Sequence, residues 1–265
     1  TLVDIQGSAA QASLGGNFLY DLQNSLGSGE LQAKLENADM LKPFIGNALT
    51  FDAANATVKL APSAGGKQSA ALSLSASNIA ASGANFQSFN AQAALTDIAE
   101  IKEPEVTAKL ESGRYQSAQI NNITLTVQPK LNTAQTKLNA INWNLNGTGR
   151  DRYGFTLSAD GEATFAPNIW SIALAEMRAQ FGDGTITAQG IASPEKLDIT
   201  GTINNLALDY IPTLPQLSVA PTFKSGRFAL TQTLQAPVIS LSTTTSTQEG
   251  GAQFNVNSDA NYAGE

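Results

Sequence analysis

Histidine and cysteine are both missing from this 265-residue chain, and methionine occurs only twice. Without histidine there is no group of ordinary near-neutral acid/base character, and the commonest metal ligand is gone. Without cysteine there is no thiol nucleophile, disulfide or thiolate metal site, so strand pairing and burial alone must hold the fold. Avoidance of cysteine fits an oxidising compartment. Charge is scarce as well. Asp, Glu, Lys and Arg make up 14% of residues, against roughly 25% in an average soluble domain, and the net charge is −7. The few basic residues are scattered among acids, as in Arg150-Asp151-Arg152. Phosphate binding needs clustered Lys and Arg, so nucleic acid is not an expected partner. No apolar run approaches the ~20 residues of a spanning helix, and no signal peptide opens the sequence. The chain starts at Thr1 in strand-like sequence and stops at Glu265 just after another alternating run. The expectation is an excised piece of a longer protein.

What fills the sequence is period-two alternation bounded by Gly, Asn, Asp and Pro, the pattern of half-buried strands. Leu72, Leu74 and Ala76 alternate with serines, and Phe89, Ala91, Ala93 and Leu95 with mostly polar neighbours. Ile123, Leu125 and Val127 face one way while Thr124 and Thr126 face the other. Ile141, Trp143 and Leu145 share a face opposite Asn142, Asn144 and Asn146. Phe155 with Leu157, and then Trp170, Ile172 and Leu174, continue the pattern. Leu197 with Ile199, Phe228 with Leu230, Ile239 with Leu241, and Phe254 with Val256 complete it. About sixteen strands result, joined by short links, so antiparallel neighbours are expected. GRDRYG (149–154), GDG (182–184), SPEK (193–196) and the GG pairs at 65–66 and 250–251 provide the turn chemistry.

Two segments interrupt the alternation. Residues 37–49 (NADMLKPFIGNAL) predict a short helix carrying Met40 and Phe44, and residues 206–221 are apolar and proline-rich. Other motifs carry ordinary readings. Gly182-Asp183-Gly184 reads as a hairpin turn rather than a calcium loop. Glu100, Glu103 and Glu105 form an acidic cluster split by Pro104, and Gly147-Thr148-Gly149 lacks the strand, helix and lysine of a phosphate loop. No catalytic residue, metal site or cofactor is expected.

Strands with one apolar face must cover it, as a sandwich, a barrel or a sheet curled on itself. The apolar positions mix Ala with a modest number of large residues, and aromatics are only 7%. Thin faces of this kind suit a surface that holds mobile hydrocarbon better than an interlocking core.

The phrase order over about 140–245 carries a resemblance. IWSIALAEMRAQFGDGTITAQG leads into KLDITGTINNLALDY, a proline-bearing segment and SGRFALTQTLQAPVISLS. This run resembles the TamB and wider AsmA-like family, and ASNIAASGANFQSFNAQAAL earlier in the chain has the same texture. The resemblance implies an all-β, mostly antiparallel sheet curled into a U-shaped, taco-like trough with an apolar interior and short helical or Pro-rich interruptions. It also implies a periplasmic location, anchorage to the inner membrane by a segment outside this one, and phospholipid acyl chains as cargo. An outer-membrane barrel assembly partner would be met through other regions. The family has no catalytic motif to carry over. On this reading residues 1–36 end one sheet unit, 37–205 form a trough unit, and 206–265 connect to the next. The groove would be lined by Leu72, Leu74, Phe89, Leu95, Ile123, Leu125 and Val127, and then by Ile141, Trp143, Leu145, Phe155 and Leu157. Trp170, Ile172, Leu174, Phe228, Leu230, Ile239 and Leu241 would continue it. Two other readings stay open: a secreted β-solenoid adhesin or passenger, and an enzyme using carboxylates such as Asp151 and Glu162.

Overall fold

The computed structural model describes residues 2–263 apart from 10, 39–48, 82, 99–103, 132–137, 152, 167–168, 211–220, 235 and 250–251. The chain is all-β. Its strands are β1 (Leu2–Ala9), β2 (Ala12–Asp21), β3 (Leu26–Leu35), β4 (Leu49–Thr50), β5 (Ala53–Ser63) and β6 (Lys67–Ala81). β7 (Ala84–Leu95), β8 (Glu105–Tyr115), β9 (Ala118–Leu131), β10 (Leu138–Arg150), β11 (Gly154–Ala166) and β12 (Ile169–Phe181) follow. β13 (Gly184–Ala192), β14 (Leu197–Ala207), β15 (Thr222–Gln232), β16 (Pro237–Glu249) and β17 (Ala252–Ala263) end the series. A single 3-10 turn, Leu208–Tyr210, follows β14.

Two compact units divide the chain, Thr1–Gln116 with Ile120–Lys137, and Ser117–Gln119 with Leu138–Glu265. In the first, β1, β2, β3, β5, β6, β7 and β8 pair in succession, and the short β4 pairs with the far end of β6. In the second, β10 to β17 form an uninterrupted meander. Each of these ladders is antiparallel, which is not the parallel stacking a solenoid requires. Neither unit is closed into a barrel. Among the described residues the most extensive strand contacts are between hydrogen-bonded neighbours.

Both interruptions lie between strands that pair with each other. β3 pairs with β5 across the first, and β14 with β15 across the second. Positions 37 and 206 lie at these pairings, and the two compact units meet near Leu138. Most of the helix expected over 37–49, with Met40 and Phe44, lies outside the described residues. Its described flanks are packed: Ala38 and Phe51 are buried against Ala54 and Ile79, with Leu35, Ala76 and Phe89 around them.

Directly opposed residues of an antiparallel pair point to the same face, so the registers trace each face across the strands. Large rings recur opposite glycine: Phe86 with Gly113, Phe155 with Gly149, Trp143 with Gly161, and Phe228 with Gly201. In each pair the ring lies over the glycine, where a Cβ would meet it within 3 Å. A ring laid flat on backbone covers the sheet without standing up from it. At Gly201 an added Cβ would strike both the Phe228 ring and the Thr187 carbonyl oxygen. We expect Gly201→Val to destabilise the chain by about 1–3 kcal/mol, the range for overpacking, as read by urea unfolding. Gly65→Ala, which faces open space at a positive φ, should cost less.

Candidate functional site

The registers assemble apolar rows that run perpendicular to the strands. In the first unit one row is Ile5, Gly16, Leu31, Val58, Leu72, Ala93 and Val106. Its neighbour is Gly7, Leu14, Ala33, Ala56, Leu74, Ala91 and Ala108. Leu95 and Phe89 take their places in the flanking rows, opposite Ala70 and Ala76. In the second unit one row is Leu145, Ala159, Met177, Ala188, Gly201, Phe228 and Leu241. The next is Trp143, Gly161, Leu174, Gly190, Ile199, Leu230 and Ile239. Ile141 and Ile172 share a third row with Ala163, and Leu157 and Phe155 lie in rows on the other side. Ile123, Leu125 and Val127 alternate along β9. Each residue expected to line the groove therefore sits on a strand, and the register brings together those of β6 and β7, and those of β10 to β16.

Through β1–β8 and β10–β16 these apolar rows contain no Asp, Glu, Lys or Arg. Charge is confined to the opposite face, where Glu30 and Lys59 stand in register 2.9 Å apart. This pairing, with Gln32 donating to the same carboxylate, holds Glu30 below the usual carboxylate range. Thr187 and Thr202 share a 2.8 Å hydrogen bond there, and Asn146 donates to Asn144.

Two hollows among the described residues are lined in large part by this polar face. One, of 890 Å³, spans β12 to β16 and takes side chains from Glu176, Thr187, Thr202, Arg227 and Ser242. The other, of 670 Å³, spans β2, β3 and β5 beneath Asn17, Glu30, Gln32, Lys34 and Thr57. Their linings also take in residues of the apolar rows, Ala188, Gly201, Phe228 and Leu241 in the first and Leu14, Ala33 and Ala56 in the second. The apolar rows mix small residues with rings set against glycine.

In the second unit the two ends of the strands differ. At the β12–β13 end Leu206 is 1% exposed and opposes Phe223. Tyr210 lies against Gly182 and edge-on to Tyr153, with ring centres 4.3 Å apart. Partial burial, and then the charges of Asp183 and Asp209 with Tyr153 between them, push the Tyr210 phenol above its ordinary value. At the other end Phe165 and Trp170 oppose one another, 42% and 36% exposed, beside Ile172 at 41%. Trp143 lies between these ends, and its indole Nε1 is buried without a hydrogen-bond partner.

The remaining motifs hold no convergent chemistry. Gly182-Asp183 is the two-residue turn of the β12–β13 hairpin, with φ of 54° at Gly182. Ser193 and Lys196 close the SPEK turn through a 2.7 Å backbone bond. Asp151 lies in the β10–β11 turn, whereas Glu162 is eight residues beyond Gly154 on β11, roughly 26 Å further along. Glu105 opens β8 and pairs with Ala94, while Glu100 and Glu103 are outside the described residues.

Alternation alone missed Ile79, Phe86, Met177, Ile203 and Leu206. Their spacing from the preceding or following apolar residue is three rather than two, as in Ala76 to Ile79 and Ile203 to Leu206. A left-handed residue absorbs the slip at Asn78 (φ 50°) and Asn205 (φ 46°), and a bulge does so between Leu174 and Met177. Asparagine at a break in alternation was the available signal, because it tolerates this backbone region. Comparison with protein-family models, curated proteins and solved structures finds no match for this chain.

Proposed function

We propose that this chain is a segment of a periplasmic conduit whose apolar face carries phospholipid acyl chains between membranes. One observation bears most of the weight: apolar rows free of charged side chains run unbroken across neighbouring strands, and large side chains on them, such as Leu72, Leu74, Ile172 and Ile239, remain more than a third exposed. A lipid tail crossing water exposes methylenes at about 0.8 kcal/mol each, so ~16 carbons meet a barrier on the order of 10 kcal/mol. An apolar floor lowers that barrier without holding any position tightly. The resemblance to TamB and AsmA-like proteins supports the same reading, with the sheet curled so that these rows face inward. On that basis the conduit is anchored to the inner membrane and meets an outer-membrane barrel assembly partner through regions outside this segment.

Photo-crosslinking amino acids at Leu125, Leu157 and Ile172 should capture phospholipid in vivo, while those at Thr124, Thr156 and Asn144 should not. Equal labelling of the two sets would overturn the proposal, because it predicts contact with one face of each strand only.

A further inference from the structure

The two ends of the strands in the second unit are built differently, and the difference orients the cargo. Resting on the acyl-chain reading above, we propose that a lipid tail enters across the lip formed by Phe165, Trp170 and Ile172. The headgroup stays outside this lip, and the tail lies inward along the strands over Gly161 toward Trp143.

The opposite rim is filled by the chain itself. Leu206 is almost wholly buried there, an added Cβ at Gly184 would strike it, and the Tyr210 ring covers the β12–β13 turn. No comparable covering lies over the lip among the described residues, and three large apolar side chains there remain more than a third exposed. Behind them the floor falls to small residues: Ala163 pairs with Ile172, and Gly161 with Leu174 and Trp143. Along β11 the Phe165 position is four residues from Gly161, about 13 Å of strand. Tryptophan and phenylalanine at the lip suit the boundary between headgroup and hydrocarbon, where a ring meets both media. The rows behind the lip carry no Asp, Glu, Lys or Arg, so hydrocarbon is the occupant they suit.

The two tryptophans of the chain, Trp143 and Trp170, stand at the two depths that matter and make the test direct. Trp143→Phe leaves Trp170 as the single indole, and Trp170→Phe leaves Trp143. Each variant is loaded from vesicles of phosphatidylcholine brominated either near the ester carbonyl or near the chain terminus, and fluorescence quenching is read after removal of the vesicles. Trp170 should be quenched at least twofold more by the bromine near the carbonyl, and Trp143 at least twofold more by the terminal bromine. The reverse order, or equal quenching of each indole by both lipids, would overturn the orientation while leaving acyl-chain binding in place. Failure of both lipids to quench either indole would overturn the binding reading and this one with it. Because the Trp143 indole N–H has no partner, Trp143→Phe removes no hydrogen bond and should fold. Circular dichroism of both variants confirms that before quenching is compared.

Discussion

Leu206→Ala should lower the unfolding free energy by about 2–5 kcal/mol, the range for truncating a fully buried leucine. Leu72→Ala should cost only about 1 kcal/mol, since roughly half of the burial stabilisation of a leucine is at stake. The contrast follows from where each side chain sits. Leu206 is 1% exposed and wedged beside Gly184 and Phe223, so its removal leaves a cavity that the surrounding backbone cannot fill. Leu72 is 46% exposed among Val58, Ala93 and its neighbours along β6, and solvent already meets it. Urea unfolding of the two variants under one set of conditions measures the difference. Similar losses for both would mean that the apolar face is a packed core over its whole extent, and the conduit reading would fall with that result. Large losses confined to the end positions Leu206 and Ile79 mean instead that the sheet is pinned where the interruptions meet it and is otherwise held by its ladders.

Much of this arrangement was legible in the sequence. Each alternating run named a strand, and the shared face of Ile141, Trp143 and Leu145, or of Leu72 and Leu74, emerges in the register as expected. Turn chemistry was equally plain at Gly65-Gly66, at Gly182-Asp183 and at Ser193–Lys196. What alternation could not reveal were positions where the apolar face continues after a break of three. A single left-handed residue such as Asn205, or an extra residue in β12, resets the pleat there, and local pattern alone reads the break as the end of a stripe. The interruptions also lie between strands that pair with each other. Composition shows that residues 37–49 and 206–221 are unlike strand, but it does not show that the strands on either side pair with each other, because that is a long-range fact. The ring-on-glycine pairs have the same character: Phe228 and Gly201 lie 27 positions apart in sequence and become neighbours only through the β14–β15 register.

Leu72→Arg tests the face itself and should have the largest functional effect. The guanidinium can swing toward water along its own stem, and Leu72 is half exposed to begin with, so folding should suffer by less than about 1 kcal/mol. Hydrocarbon laid across the same row would then have to pass a charge. Placing arginine in hydrocarbon costs about 2.5–3.5 kcal/mol, which corresponds to roughly a hundredfold fall in lipid occupancy. Ser73→Arg, one residue along on the opposite face, should change neither stability nor occupancy, because that face already carries Lys59 and Glu30 on the neighbouring strands. Vesicle-to-protein transfer of a radiolabelled phospholipid, measured beside urea unfolding, separates the outcomes. Loss of transfer with folding intact for Leu72→Arg alone places the cargo on the apolar rows. Unfolding by Leu72→Arg would show that this side chain is enclosed, and equal transfer by both variants would show that lipid does not travel along this face.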